Sequence, residues 1–339
     1  MTVAEAPTER AMPPAATAPE VGRLRVLVLT NMFPTSAEPW FGVFVSDQTA
    51  DLRSAGVDLE VLAFDARSSR LEYLTAARRL RHALRDGQFD IVHAHYGLAG
   101  AVAATQRRVP VVTTFHGSDA LARGERPISW VVARRTQPIA VATVVADSLG
   151  LHGAPVIPCA VDTELFAPAD RAQARSLLGW PADGAHVLFP AARRDPTKRP
   201  KRADLFDAAV RHVRRRLPGV RAVSLDGLSR TQVAAAMSAA DVMLMTSDWE
   251  GSPVTVKESL ACATPVVSVP VGDVAEVIRG LPGCAISARE PAALAAAVLR
   301  AVESPRSAAL RDRALTYGRG ATAARIIDVY RRALEGGPA

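Results

Sequence analysis

The chain has 339 residues, which is more than a single hydrophobic core usually supports, so we expect two domains of about 150 residues each. Apolar residues make up 49% of the chain and charged residues 22%, which excludes a largely disordered protein. The formal charge of +7 suits nucleic acid, an acidic substrate or an anionic membrane. Aromatic residues are absent from the basic runs 193–202 and 211–216, which argues against a nucleic-acid platform.

The first 22 residues are rich in Ala, Pro, Thr and Glu and lack the apolar core of a signal peptide, so we expect a flexible tail. After this tail, short apolar strands alternate with helical segments, a pattern typical of a parallel sheet covered on both faces. The pattern predicts strands at 24–30, 58–64, 90–95, 110–115 and 139–146, with helices at 43–55, 71–85 and 98–108.

A second series of strands and helices follows the Pro-punctuated segment VIPCAVDTELFAP, residues 156–168. It predicts strands at 186–189, 221–225, 241–245, 265–269 and 284–287, and helices at 201–217, 230–239, 253–262, 291–303 and 322–334. We expect two doubly wound α/β domains, at 23–166 and 167–320, that face a cleft. The segment 321–339 has apolar residues at helical spacing and is a candidate to cross back to the first domain.

Membrane and metal signals are weak throughout the sequence. The apolar stretch 138–146 falls short of the roughly 20 residues needed to cross a bilayer. The cysteines Cys159, Cys262 and Cys284 are far apart and show no metal-ligand spacing. We therefore expect a cytoplasmic protein that needs no metal or other cofactor.

The loop after the strand DVMLM carries the strongest chemical signal. Ligands of parallel sheets bind beyond the carboxyl ends of the strands, so this loop should line the cleft. Ser252 and Pro253 are predicted to start the next helix, with Ser252 as its N-cap. The amides and the dipole at that helix end favour a phosphate or a sugar hydroxyl. Glu250 lies just before the cap and Glu258 on the second turn.

Two carboxylates at such a site can accept the hydroxyl protons of a polyhydroxylated ligand. Sugar and ribose fit this chemistry, whereas a flat hydrophobic ligand does not. The alternative is a solvated loop Glu and an exposed helix Glu that pairs with a neighbouring lysine such as Lys257.

The stretch SDWEGSPVTVKESLACATPVVS, residues 247–268, resembles the signature of the retaining glycosyltransferases of family 4, which have the two-domain GT-B fold. In that family the first Glu lies at the donor sugar, the second binds the ribose hydroxyls, and the backbone between them meets the diphosphate. The chain departs from the family where Ser252-Pro253 replaces an aromatic-glycine pair and Thr264 replaces Gly. The resemblance assigns these roles to Glu250, Glu258 and the segment Gly251, Ser252, Pro253 and Val254.

The basic segment FPAARRDPTKRPKRADLFDAA, residues 189–209, resembles the family's strand, Gly-Arg turn and Lys-opened helix. Fixed cations here would stabilise the charge that develops on a leaving diphosphate. Arg193 matches the arginine. Lys198 has the customary spacing from Arg193, but Lys201 is better placed at the helix start, and we favour Lys201. The alternative is a solvated basic face that associates with anionic lipid.

Two further matches lie in the first domain. TTFHGSDAL, residues 113–121, resembles the family's His loop, which implies that His116 contacts the donor sugar with Asp119 as its neighbour. A lone His after a strand can equally be a satisfied polar residue. Gly42 matches a glycine that lets the backbone approach the donor or acceptor. His93 and His95 lack a further ligand and are read as structural.

The resemblance predicts a metal-independent, retaining glycosyltransferase that moves a hexosyl or related sugar from a nucleotide diphosphate sugar to a cell-surface polysaccharide or lipid-linked acceptor. Peripheral contact with an anionic inner membrane face is also expected, and nucleic acid is not. The alternatives are a sugar-nucleotide epimerase or phosphorylase and a non-catalytic carbohydrate-binding module. A dinucleotide oxidoreductase is disfavoured because NMFPTSAEP, without a Gly-x-Gly-x-x-Gly turn, follows the first strand.

Overall fold

The computed structural model describes residues 24–38, 40–67, 69–193 and 200–336. The described residues form two five-stranded, all-parallel sheets. In each sheet the second strand in sequence lies at the edge, followed by the first, third, fourth and fifth strands. The two sheets therefore share one doubly wound topology, and each has a crevice where the winding reverses, between its first and third strands.

The first sheet has the order β2-β1-β3-β4-β5. Strands β3 and β4 are buried along their whole length, and the two polar residues that each contains are buried with the rest. The elements are β1 (Arg25–Thr30), α1 (Val43–Ser54), β2 (Asp58–Ala63), α2 (Glu72–Asp86), β3 (Ile91–His95), α3 (Gly97–Ala103), β4 (Val111–Phe115), α4 (Ser118–Leu121), α5 (Arg126–Val132), β5 (Gln137–Ala140) and α6 (Thr143–Leu149).

The second sheet has the order β10-β9-β8-β6-β7, and its strands pack with the neighbouring helices in a separate hydrophobic core. Between β6 and β8 the described residues, which exclude 194–199, form a single strand and two helices, as predicted. The elements are α7 (Arg171–Leu177), β6 (His186–Phe189), α8 (Ala203–Arg214), β7 (Arg221–Ser224), α9 (Arg230–Ala239), β8 (Val242–Met245), α10 (Val254–Ala261), β9 (Val266–Ser268), α11 (Val274–Val277), β10 (Ala285–Ile286), α12 (Pro291–Glu303), α13 (Ala308–Leu315) and α14 (Arg319–Glu335).

Helix α14 packs on the first sheet although it ends the chain. Its residues Ile326, Val329 and Tyr330 belong to the same buried cluster as Val26 of β1 and Leu52 of α1. The opposite face of that sheet has a separate core under α2 and α3. The C-terminal helix therefore ties the second half of the chain to the first domain.

Some predicted boundaries are wrong. The apolar run 139–146 is not one strand, because β5 ends at Ala140 and helix α6 begins at Thr143. A short buried apolar run has no periodicity that separates a strand from a helix. Helix α8 begins at Ala203 because Arg202 adopts a left-handed backbone conformation, with φ of 55°. No helix in the described part of the chain is long and apolar enough to cross a membrane.

Candidate active site

The two domains touch where the loop between β8 and α10, the β8–α10 loop (246–253), meets the loop after β4. A Cβ added to Gly251 would lie 2.0 Å from the carbonyl oxygen of His116. From its other side, a Cβ added to Gly272 would lie 2.4 Å from the carbonyl oxygen of Gly251. The loop is thus held between the domains with no room for a side chain at position 251, which is a packing reason for glycine there.

Glu250 and Lys201 lie together on the donor-side wall of the cleft. The Lys201 ammonium is 2.5 Å from a carboxylate oxygen of Glu250, whose side chain is only 13% exposed. The Thr246 hydroxyl, just after β8, donates to the carbonyl of Lys201 at 2.8 Å. The ends of β6 and β8 therefore place a cation and a carboxylate at the crevice of the second sheet.

Arg193 is engaged elsewhere. Its guanidinium forms an ion pair with Asp207 of α8 and lies over the ring of Phe206, 5.1 Å from the ring centroid. Its backbone amide donates to Asp226 at 3.0 Å. The structure thus gives Lys201, and not Arg193, the direct contact with Glu250. The other candidate cation, Lys198, lies outside the described residues.

Glu258 is buried on α10 and does not pair with Lys257, so the alternative of an exposed helix Glu is wrong. Burial raises the pKa of its carboxyl to about 7, and the positive charge of Arg230 opposes that shift. Arg230 at the start of α9 is 2.6 Å from Asp47 of α1. This ion pair spans the two domains, so Glu258 lies beside the gap between them.

The start of α10 differs from the prediction. The helix begins at Val254 with Pro253 as its N-cap, so Ser252 is not the capping residue. The Ser252 hydroxyl instead donates to Asp273 at 2.5 Å. Within the described ranges, the backbone amides of Val254 and Thr255 have no hydrogen-bond partner. Together with the helix dipole, these two amides can bind an anionic group.

His116 lies half-buried at the end of β4, in a cluster of rings. The ring centroids of Phe44 and Tyr96 lie 4.9 Å and 4.7 Å from that of His116. Its Nε2 is 3.0 Å from Nδ1 of His95. Burial, with a smaller effect of His95, lowers the pKa of His116 well below its ordinary value, so the ring is neutral at pH 7. The fully buried His95 thus supports the ring of His116.

His93 does have structural partners. Its ring nitrogens lie 2.6 Å from the Tyr330 hydroxyl and 2.8 Å from the Thr114 hydroxyl. In the described ranges no group of three or more His, Cys, Asp or Glu side chains is arranged to hold a metal ion.

Asp119 is not available as a direct donor contact, which corrects the prediction. Its side chain is fully buried, and its oxygens accept hydrogen bonds from the backbone amides of Gly97, His116 and Gly117 at 2.9 to 3.0 Å. Burial raises its pKa to about 6, and those amide hydrogen bonds limit the shift. Asp119 therefore holds the loop that carries His116 in place.

Gly42 also has a packing role that the sequence did not predict. It precedes α1 with φ of 72°, and an added Cβ would lie 2.4 Å from the carbonyl carbon of Met32. The backbone that Gly42 approaches is that of the loop after β1, so this glycine is explained by the protein's own packing.

The sequence analysis did not predict two arginines that lie in the cleft. Arg230 pairs with Asp47, and Arg319 pairs with Asp51 of α1 and Asp162 of the linker. The partners are separated by more than 150 residues in sequence, so no local pattern announces them. They form an ionic network along the interdomain gap.

Two facing α/β domains bring carboxylates, a cation and free helix amides to one shared cleft. Such a set of groups suits a polyhydroxylated, anionic ligand. Comparison with known proteins agrees. Residues 25–165 match the model of "Glycosyltransferase Family 4" and residues 196–304 that of "Glycosyl transferases group 1". The chain therefore belongs to the family 4 glycosyltransferases.

Relatives of known name support this membership. A D-inositol 3-phosphate glycosyltransferase from Thermobispora bispora is 30% identical, across 89% of this chain and 83% of the relative. One of the same name from Mycobacterium tuberculosis is 31% identical, across 73% of this chain and 62% of the relative. The predicted enzyme class is confirmed, which sets aside the oxidoreductase and the non-catalytic binding module.

Solved structures show the same fold. A sucrose-phosphate synthase from Thermosynechococcus elongatus has a TM-score of 0.72 at 17% identity, covering 93% of this chain and 100% of that chain. A glycosyltransferase from Rickettsia africae has a TM-score of 0.69 at 14% identity, covering 94% and 100%. The Anabaena protein HepE, in complex with UDP and glucose, has a TM-score of 0.64 at 16% identity, covering 93% and 99%. The predicted GT-B fold is confirmed.

Proposed function

We propose that this glycosyltransferase uses a nucleotide diphosphate sugar as its donor, retains the configuration of the transferred sugar and needs no metal ion. The proposal is carried by one arrangement: Glu250 and Glu258 flank the free amino end of α10 while Lys201 lies against Glu250. The site thus offers hydroxyl acceptors at both ends of an anion-binding centre.

In this proposal the diphosphate lies at the amides of Val254 and Thr255, with the ribose toward Glu258 and the sugar toward Glu250 and His116. The bond between the sugar C1 and the diphosphate oxygen breaks as the acceptor oxygen bonds to C1 on the same face. The acceptor proton passes to the departing diphosphate. Lys201 stabilises the negative charge on this group, and Arg193 joins it after release from Asp207.

The experiment is a panel of UDP-, GDP- and ADP-sugars, screened first by thermal shift because a ligand bound to the folded state raises its stability. A stabilising donor should then give nucleoside diphosphate release that persists in EDTA, and the product should keep the donor's anomeric configuration by NMR. Glu258→Ala should weaken donor binding. Loss of all activity in EDTA, or an inverted product, would refute the corresponding part of the proposal.

Two classes of molecule are candidates for the acceptor. One is the predicted cell-surface or lipid-linked glycan. The other is a phosphorylated cyclitol, which is favoured by the name of the relatives, D-inositol 3-phosphate glycosyltransferase. Arg67 follows β2 at the cleft edge, where Glu38 and Asp65 hold its guanidinium at 2.5 Å and 2.9 Å. We expect Arg67→Ala to raise KM for a cyclitol phosphate but not for an uncharged glycan. Transfer to glycans only would reject the cyclitol phosphate.

Peripheral contact with an anionic membrane has a further candidate surface outside the predicted clusters. A groove at the amino ends of β4 and β5 is lined by Arg107, Arg134, Arg135 and Arg332, and none of the described residues that line it is acidic. The guanidinium of Arg134 lies 3.6 Å from the ring centroid of Trp130, which is 47% exposed. Basic side chains beside an exposed tryptophan fit an anionic bilayer surface.

Vesicle pelleting tests this membrane contact. Phosphatidylcholine vesicles with added phosphatidylglycerol should bind the protein more strongly than phosphatidylcholine alone, and R135E/R332E should abolish the difference. R211E/R214E makes the same charge change on α8 and should have a smaller effect. Equal binding to both vesicle types would count against membrane contact.

A further inference from the structure

Lys257 is a fully buried lysine for which the proposed reaction has no use. Its ammonium lies 2.5 Å from the Ser252 hydroxyl and 3.4 Å from Asp273, which is 5% exposed. The Ser252 hydroxyl lies between the two charges, since it also donates to Asp273 at 2.5 Å. The three side chains therefore form one closed polar unit in the interior of the second domain.

This polar unit holds the β8–α10 loop from the second-domain side, opposite His116. The backbone amide of Asp273 donates to the carbonyl of Gly251 at 3.1 Å, so Asp273 holds the loop through both its side chain and its backbone. Gly272 lies directly against Gly251 and Glu250. Across the cleft, the backbone of His116 closes on the other side of Gly251. The position of Glu250 therefore depends on where Asp273 and Ser252 lie.

The same unit touches the segments that join the domains. The chain crosses between the domains at 156–162 and 316–319, and these hinge segments pair with each other through a hydrogen bond from the Val161 amide to the Tyr317 carbonyl at 3.0 Å. The ring of Tyr317 faces the Lys257 ammonium, 5.3 Å from the ring centroid. A movement of the hinge thus changes the surroundings of Lys257 directly.

Burial of such charges is a poor means of stabilisation, because the lost hydration of two ions offsets their attraction. Apolar residues would fill this site at no greater cost. In the described part of the chain, the second carboxylate oxygen of Asp273 has no hydrogen-bond partner, so the unit is not optimised for stability alone. These costs are understandable if the geometry that the unit imposes serves the reaction.

We propose that Lys257, Asp273 and Ser252 are positioning residues that set the β8–α10 loop, and hence Glu250, according to the position of the hinge. The inference rests on the proposed function, because it takes this loop as the binding place of the donor sugar and diphosphate. Within this polar unit Lys257 connects the hinge segments to the loop. Ser252 passes a change in the position of Lys257 to the backbone beside Glu250.

The test separates charge balance from positioning. Lys257→Met leaves Asp273 buried without its cation and should lower both thermal stability and activity. The double variant K257M/D273N removes both charges and should regain much of the lost stability. Its kcat/KM for the donor should nevertheless stay about tenfold to 100-fold below wild type, because small misplacements of a reacting group have effects of that size.

A second readout does not need turnover. Hydrogen exchange of the segment 247–253 should be faster in K257M/D273N than in wild type, because the loop has lost its anchor. The matched control is R175M/D241N, which removes a buried ion pair of the same domain at the amino end of β8, whereas the β8–α10 loop follows its carboxyl end. This control should change stability but neither loop exchange nor kcat/KM per folded molecule.

Wild-type kcat/KM and wild-type loop exchange in K257M/D273N would overturn the inference. If the double variant does not fold, Ser252→Ala keeps the ion pair and removes only the connecting hydroxyl, and it should show the same two effects. If wild type turns over no nucleotide sugar while the loop exchange still changes, the proposed function fails and the positioning of the loop stands.

Discussion

At the residue scale, the raised pKa of Glu258 couples donor binding to stability. The folded protein holds this proton more tightly than the unfolded chain, since the carboxyl pKa rises from 4.5 to about 7 on burial. Between these values folding stability falls as pH rises, because the unfolded chain releases the proton first. At pH 8 the buried carboxylate is therefore a cost to the protein without ligand.

We expect Glu258→Gln to remove this cost. The variant should be more stable than wild type at pH 8, by on the order of 1 to 3 kcal/mol, and closer to wild type at pH 5. Urea unfolding at both pH values measures the difference in free energy of unfolding between the two proteins. Asp119 also has a raised pKa, but its contribution is the same in both proteins and cancels. The same variant should bind the donor more weakly. A parallel pH dependence for the two proteins would contradict the assignment.

A second prediction at this scale concerns Gly251. Gly251→Ala places a methyl group in the backbone of His116, so the loop or the domains must move apart. We expect a loss of about 100-fold in kcat/KM, because displacement of the reacting groups by about 1 Å has an effect of this size. Gly320→Ala is the control, since an added Cβ there meets no atom within 4 Å. Equal activity of the two variants would show that the contact is dispensable.

At the scale of elements, the attachment of α14 to the first sheet depends on a buried polar contact inside an apolar interface. The Tyr330 hydroxyl lies 2.6 Å from His93, and both side chains are fully buried. The surrounding contacts of Ile326 and Val329 are apolar and tolerate small shifts. The hydrogen bond instead fixes one position of the helix along β3 and β4.

We expect Tyr330→Phe to lower the free energy of unfolding by about 1 to 3 kcal/mol, because it leaves one ring nitrogen of His93 buried without a partner. Urea denaturation measures this loss. The triple variant Y330F/H93F/T114V removes all three hydrogen-bonding side chains together and should regain part of the stability. If Tyr330→Phe unfolds like wild type, another group or a water molecule satisfies His93.

At the scale of the whole molecule, ion pairs across the gap favour the closed arrangement of the domains. Asp47 and Arg230 join α1 to α9, and the two side chains are 36% and 38% exposed. A pair this exposed contributes about 0 to 1 kcal/mol, so it biases domain closure without locking it. Added salt should weaken the bias by screening the charges.

We expect Asp47→Asn to shift the protein toward an open form. Small-angle X-ray scattering without ligand should give a larger radius of gyration at low salt than wild type, and high salt should reduce the difference. A saturating donor should close both proteins. Identical scattering curves at low salt would mean that the backbone contact at Gly251 determines closure without the ion pair.

The sequence by itself determined the class of fold and the chemical types at the site. Continuous apolar runs such as 26–29 require burial on both faces, and this requirement already implies a parallel sheet between helices. The spacing of Glu250 and Glu258 around a helix start predicted carboxylates beside an anion-binding end. These features are local, so they can be read from neighbours along the chain.

Only the tertiary structure decided which side chains reach the cleft. Asp119 accepts hydrogen bonds from three backbone amides, and Arg193 forms an ion pair with Asp207. Gly42 packs against the loop after β1. Each of these residues lies in a motif that matches the family. Lys257 and Asp273 came together from separate elements. Such partners depend on how separate elements pack together, some of them up to 268 residues apart in the chain, and sequence spacing carries no information on that packing.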